Sequence, residues 1–238
     1  MNVITENKPL PGKICVSIGG NDVAETLASA LRVEGEADVI EIRLDGLIKP
    51  EVAPFIERTK KPLLFTNRPE WEGGLWCEDE TKRLALLKQA ISAHGAYVDI
   101  ELRTELSLRR EIIDLAGKNE SQTIVSWHDF QTTPSAAHLE NILHEQIESG
   151  ADIGKIVTMA HDYNDVLRVL SLQTMAHEKN FPLISFCMGE AGRISRLATL
   201  DLGGYMTYAA PEAGKSTAPG QLSVSTLHHL LNRLHYEN

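Results

Sequence analysis

The chain is poor in aromatic residues, which make up 5% of it, and it has only three cysteines, at positions 15, 77 and 187. An odd number of widely spaced cysteines without CxxC or CxxxxH spacing argues against a disulfide framework and a structural zinc site. All three are expected to be small buried hydrophobes. No apolar run is long enough to cross a bilayer, and the opening MNVITENKPLPGK has no apolar centre of signal-peptide length. No membrane partner is expected, and the expected location is cytoplasmic. Cations are scarce as well: 23 Lys and Arg face 33 Asp and Glu, a formal charge of -10. With no basic patch interleaved with aromatics, nucleic acid is not an expected partner. Linkers, low-complexity tracts and shifts of composition are also missing, so residues 1–238 are read as one domain.

What is present is alternation. Short aliphatic or β-branched runs at 13–18, 38–44, 62–67, 96–102, 122–128, 152–158, 182–188 and 204–210 read as strands. Between them lie amphipathic segments such as DVAETLASALRVEGEA and NDVLRVLSLQTMAHEK, with apolar residues three and four apart. Each strand is expected to be followed by one helix. The last helix, LSVSTLHHLLNRL, puts Leu222, Leu227, Leu230, Leu231 and Leu234 on one stripe, with His228, His229 and His235 at its flanks. Eight such units predict an α/β fold, a single (β/α)8 TIM barrel. An open doubly wound sheet would carry G-x-G-x-x-G after its first strand, and SIGGNDVAE does not.

Strands of such a barrel are covered on both faces and should read as nearly continuous apolar runs. Several do not. In VIEIRLD, Glu41, Arg43 and Asp45 recur at period two and share a face opposite Ile40, Ile42 and Leu44. The same spacing pairs Asp99 with Glu101 and Ser126 with His128, while Arg68 directly follows the third strand. Taken singly, each is a strand with one solvated face. Taken together, charges at the C-terminal ends of consecutive strands are what a barrel active site needs. Asp99 is set apart as a residue that holds the structure together.

Lys155, between Gly154 and Ile156 in a buried strand, has two readings. It is a lysine whose ammonium pairs with Glu41 or Glu101, or it is a nucleophile, since desolvation and nearby cations favour a neutral amine that attacks carbonyls. His128 ends a buried strand and suits proton transfer beside an iminium. Together they point to imine-based elimination, isomerisation or aldol chemistry.

These residues fall in EIRLD at 41–45, TNRPEWEGG at 66–74, DIEL at 99–102, SWHDF at 126–130, DIGKIV around Lys155, MGEAGRISR at 188–196 and STAPGQ at 216–221. In order and spacing the set resembles the type I 3-dehydroquinate dehydratases. The resemblance implies that Lys155 forms a Schiff base with the C3 ketone of 3-dehydroquinate. His128 then moves the C2 proton to the leaving C1 hydroxyl in a syn elimination, and Glu72 orients His128. It implies substrate contacts from Glu41, Arg43, Arg68, Arg196, Thr217, Gln221 and Ser17, with Arg196 on the carboxylate in preference to the nearby Arg193. No cofactor, no metal and a homodimer are implied too, and 210–221 would be a closing lid. Two positions depart from the family pattern: Thr217 replaces a usual serine, and Trp127 stands where a smaller or polar residue is usual. On the strand Trp127 should face outward, away from His128. The alternatives are a Schiff-base aldolase or transaldolase of the same fold and a non-catalytic metabolite-binding barrel.

Overall fold

The structure is a computed structural model that describes residues 12–236, with side chains described through Leu234. The N-terminal stretch read above for a signal, residues 1–11, and the side chain of His235 lie outside the described residues.

Eight parallel strands form a nearly closed barrel: β1 Lys13–Ile18, β2 Val39–Arg43, β3 Leu63–Thr66, β4 Tyr97–Glu101, β5 Gln122–Asp129, β6 Ile153–Met159, β7 Leu183–Met188 and β8 Met206–Ala209. They lie side by side in chain order, with β8 against β1. The seam is drawn together by the Tyr205 N–H, which donates to the Leu183 carbonyl at 2.9 Å. The (β/α)8 expectation therefore holds, and each expected run falls within two residues of its strand.

Helices α1 Val23–Val33, α2 Ala53–Arg58, α3 Glu80–Ser92, α4 Leu106–Lys118, α5 Ala136–Glu148, α6 Tyr163–Leu170, α7 Leu172–Glu178, α8 Gly189–Asp201 and α9 Val224–Tyr236 surround the strands. Capping side chains start most of them. Asp22, Asp79, Glu105, Ser135 and Asp162 each accept a first-turn backbone N–H that would otherwise be unpaired. The one-helix-per-strand expectation fails after β6. There the run at 163–178 breaks at Ser171, whose hydroxyl bonds the Arg168 carbonyl while its N–H closes the turn on Leu167. A local side-chain bond of this kind competes with a continuous helix.

Period-two patterning sorts each strand into two cores. Outward residues such as Ile40, Ile42, Val98 and Ile100 pack with Leu84, Leu87 and Ile112 of the helices. Trp127 joins the equivalent cluster on the other side with Leu139 and Leu143, facing away from the barrel interior as its register predicts. Inward residues Cys15, Val39, Leu64, Tyr97, Ile124, Ile153 and Ile184 fill the barrel. The stripe expected on the last helix is narrower than read. Val224 and Leu227 are buried and Leu231 packs with them, while Leu230 and Leu234 are exposed. Cys77 is also exposed, unlike Cys15 and Cys187, because it lies in the loop before α3 and not on a strand. No helix among the described residues is long and apolar enough to cross a membrane.

Candidate active site

Above the apolar filling of the barrel, the inward positions turn polar, and the side chains meet at the C-terminal mouth. Glu41 leaves β2 inward, where Thr66 donates to its Oε1 at 2.7 Å and Ser17 donates to its Oε2. Arg43 follows at the next inward position and forms a two-bonded fork with Asp45 at 2.9 and 2.7 Å. Asp45 also accepts from the Arg68 and Leu75 backbone N–H groups, so one carboxylate ties the ends of β2 and β3 together.

The segment RPEWEGG is a tight reversal. Pro69 precedes a 3-10 turn, Glu70–Glu72, which ends on Gly73 in the left-handed region at φ 75°. A Cβ on Gly73 would also strike the Phe130 ring, so glycine is needed twice over. The reversal carries Glu72 into the barrel, where Oε1 lies 3.0 Å from His128 Nδ1 and accepts the His128 backbone N–H at 3.0 Å. The Phe130 ring stacks on the imidazole, centroids 5.8 Å apart.

Burial pushes both members of this pair toward neutrality. The Glu72 carboxyl is raised to about 8, and its Oε2, buried without a hydrogen-bond partner among the described residues, can carry the proton. The His128 imidazole is held well below the ordinary histidine range by burial and then by the charges of Arg68 and Lys155. With a proton on Nδ1 donated to Glu72, the Nε2 lone pair is free to act as a base.

Lys155 reaches inward from β6, nearly buried. Its Nζ lies 3.1 Å from Asp99 Oδ2 and 4.1 Å from the centre of the Tyr208 ring. The expected partners, Glu41 and Glu101, are not the ones it meets. Asp99 faces Lys155 because both point inward across β5, so the aspartate set apart as structural is the lysine's own counter-ion. Arg68 Nη2 shares that carboxylate at 2.9 Å, and Ser126 donates to its other oxygen at 2.6 Å. Burial alone would raise Asp99, but Arg68 and then Lys155 override it and hold the carboxyl far below its usual range.

The chain of charge continues outward: Arg68 to Glu101 at 2.7 Å, Glu101 to Arg83 at 2.6 Å, and Arg83 to Glu80 at 2.7 Å. Arg68 lines the cavity as expected, but much of its fork is committed to Asp99, Glu101 and Ser126.

Arg196 differs. It is buried on α8 with Nε and Nη1 unpartnered among the described residues, and only Nη2 donates, to the Pro219 carbonyl at 3.1 Å. Burial with no carboxylate beside it lowers the guanidinium to about 10, so it is charged at neutral pH. Arg193, the other arginine of this stretch, is exposed. Over the mouth, Thr217 donates to Ser17 at 3.0 Å, and its backbone N–H bonds Gln221 Oε1 at 2.8 Å. The extra methyl of Thr217 rests against Gly19, where a side chain would crowd it.

Nine of the ten expected residues, Lys155, His128, Glu72, Glu41, Arg43, Arg68, Arg196, Thr217 and Gln221, line one cavity. Ser17 does not: it sits one layer back, bridging Glu41 to Thr217. Gly73, Phe130, Val157, Phe186, Met188, Tyr208 and Ala218 complete the wall, and of these the strand residues Val157, Phe186, Met188 and Tyr208 were missed because apolar inward positions look like filling. The arrangement can hold an anion at Arg196, present an amine to a carbonyl, and take a proton at His128.

Residues 14–238 match the family model for type I 3-dehydroquinase. A 3-dehydroquinate dehydratase of Desulfotalea psychrophila is 45% identical over 221 residues, covering 93% of this chain and 97% of that protein. One of Methanococcus maripaludis is 36% identical, covering 92% and 98%. Among solved structures, the type I 3-dehydroquinate dehydratase of Clostridium difficile with covalently modified comenic acid superposes with a TM-score of 0.87 at 30% identity, covering 97% and 95%.

Proposed function

We propose roles for these residues from a family assignment: the chain belongs to the type I 3-dehydroquinase family, and it dehydrates 3-dehydroquinate to 3-dehydroshikimate, a shikimate-pathway step. Arg196, with its unshared fork, takes the substrate carboxylate in a planar pair of hydrogen bonds. Lys155 Nζ adds to the C3 ketone. Loss of water leaves a protonated imine, which is an electron sink for the bond at C2.

His128 Nε2 then takes the C2 proton. Its Nδ1–H stays on Glu72, which fixes the tautomer and orientation of the ring as the imidazolium forms. The electron pair moves through the enamine to expel the C1 hydroxyl, which collects the same proton and leaves as water. Hydrolysis of the iminium frees product and returns the amine. Glu41, Arg43 and Gln221 contact the substrate hydroxyls, and Ser17 acts through Glu41 and Thr217.

The observation that carries this division of labour is one cavity joining Lys155, the His128–Glu72 pair and an open arginine fork. Borohydride reduction with 3-dehydroquinate, followed by peptide mass mapping, tests it. A substrate adduct on Lys155 is expected; continued dehydration with no adduct would remove the covalent step.

Residues 1–238 act as one catalytic domain in this reading. A homodimer fits the exposed Tyr163 and Leu167, one turn apart on α6, and Ile194 on the adjoining α8. Sedimentation equilibrium should give twice the chain mass, and a single chain mass would reject the dimer. A cytoplasmic location suits the free thiols of Cys15, Cys77 and Cys187, and cell fractionation tests it.

A further inference from the structure

In a chain with so few aromatics, two inward rings stand together at the barrel mouth, and each faces a cation. Tyr208 and Phe186 have ring centroids 5.9 Å apart. Lys155 Nζ lies 4.1 Å from the centre of the Tyr208 ring, and the Arg196 guanidinium carbon lies 4.6 Å from that of Phe186. Tyr208 is buried, and its hydroxyl has no hydrogen-bond partner among the described residues. The hydroxyl therefore does not explain the placement; the ring face does.

We propose that Tyr208 is a further catalytic residue, whose ring face stabilises the positive charge on the Lys155 nitrogen most strongly in its iminium state. The inference rests on the imine role proposed for Lys155. Ammonium plus ketone gives iminium plus water with no net gain or loss of a proton, so the nitrogen carries one positive charge before and after. Its hydrogen bonds do not survive in the same way. Three N–H groups become one, and the hold of Asp99, which depends on those donors, weakens as the imine forms. A π face attracts the charge itself and needs no N–H, so its hold outlasts the loss of donors and counts for more in the iminium than in the ammonium, which Asp99 already holds.

Phe186 gives the guanidinium of Arg196 a similar seat. The aromatic pair thereby fixes the spacing between the group that captures the ketone and the group that captures the carboxylate.

The test is a graded weakening of the ring at constant shape. Tyr208→Phe is followed by incorporation of mono-, di- and trifluorophenylalanine at position 208, with Tyr208→Leu as the ring-free end point. The readouts are kcat for 3-dehydroquinate and the fraction of Lys155 trapped by borohydride at saturating substrate. Tyr208→Phe, which keeps the ring face, is the reference for the series. Successive fluorination should lower both readouts in steps, and Tyr208→Leu should lower them roughly tenfold to thirtyfold, the weight of a desolvated cation–π contact. A flat response across the fluorinated series, with wild-type protein still trapped on Lys155, would overturn the role of the ring alone. Absence of any adduct in wild type would overturn the imine reading and this inference with it.

Discussion

Arg83 provides the sharpest test of how the site is held. On α3 it looks like one more helix charge, yet it has no exposure, and its guanidinium meets Glu101 at 2.6 Å, the Asn67 carbonyl at 2.9 Å and Thr104 at 3.1 Å. Replacing it by Met keeps the length and apolar stem but leaves Glu101 buried with Arg68 as its remaining ion-pair partner. Breaking one side of a buried pair costs about 3–5 kcal/mol, and the surviving Arg68 contact puts Arg83→Met near the lower end. For a domain of this size 1 kcal/mol moves Tm by roughly 2–4 °C, so a fall of about 6–12 °C is expected by calorimetry near pH 7.5. The sign of the pH dependence follows from Glu101. Burial already raises its carboxyl against the pull of Arg68 and Arg83, and losing Arg83 raises it further. The deficit should therefore be largest at high pH, where Glu101 is ionised, and shrink as the pH falls and Glu101 is protonated. In the double variant with Glu101→Gln the cost should be well below the sum of the single costs. Additive costs, or a Tm within about 2 °C of wild type, would refute the argument that Arg83 answers a buried charge.

Three further outcomes are expected. Changing His128 to Ala should leave borohydride trapping on Lys155 intact while slowing turnover at least roughly a hundredfold; unchanged turnover would take His128 out of the reaction. Arg196→Met should raise KM roughly tenfold to a hundredfold, the loss of a charged hydrogen-bonded pair, with kcat much less affected; an unchanged KM would place the substrate carboxylate elsewhere. Glu72 is raised to about 8 in the folded protein against about 4.3 for an unfolded glutamate, so its contribution to stability is full in acid and is lost as pH rises through 8. Glu72→Gln removes that titration. Its Tm relative to wild type should improve between pH 5 and 9, and a constant difference would mean that Glu72 is ionised throughout.

Most of the barrel could be read in advance, because a strand buried on both faces leaves a plain sequence mark and the helices between them show a 3.6-residue period. What could not be read depends on contacts between elements. The break at Ser171 is one: the apolar spacing reads as one helix, and the local bonds of Ser171 to Arg168 and Leu167 mark where it divides. Leu230 and Leu234 are another, since their spacing fits a buried stripe while the barrel covers only the turn holding Val224, Leu227 and Leu231.

The same division runs through the site. Period two places Asp99, Ser126 and Lys155 on inward faces, but it says nothing of the stagger between strands, and stagger decides which of them touch. In register, Ser126 stands beside Lys155 and Glu101 beside Ser126, which leaves Asp99 lower on β4. Across β5, the Lys155 ammonium bonds Asp99 and not Glu101. That displacement turns a residue read as structural into the counter-ion of the nucleophile. It also frees Glu101 to pair with Arg83 and Arg68, so the order of charges from the surface inward, Glu80, Arg83, Glu101, Arg68, Asp99 and Lys155, alternates without a gap. An ammonium placed at the end of such a series is held by groups that are themselves held. Among the described residues Arg196 sits at the mouth with no acidic partner of this kind, and its open fork is what a carboxylate substrate would complete.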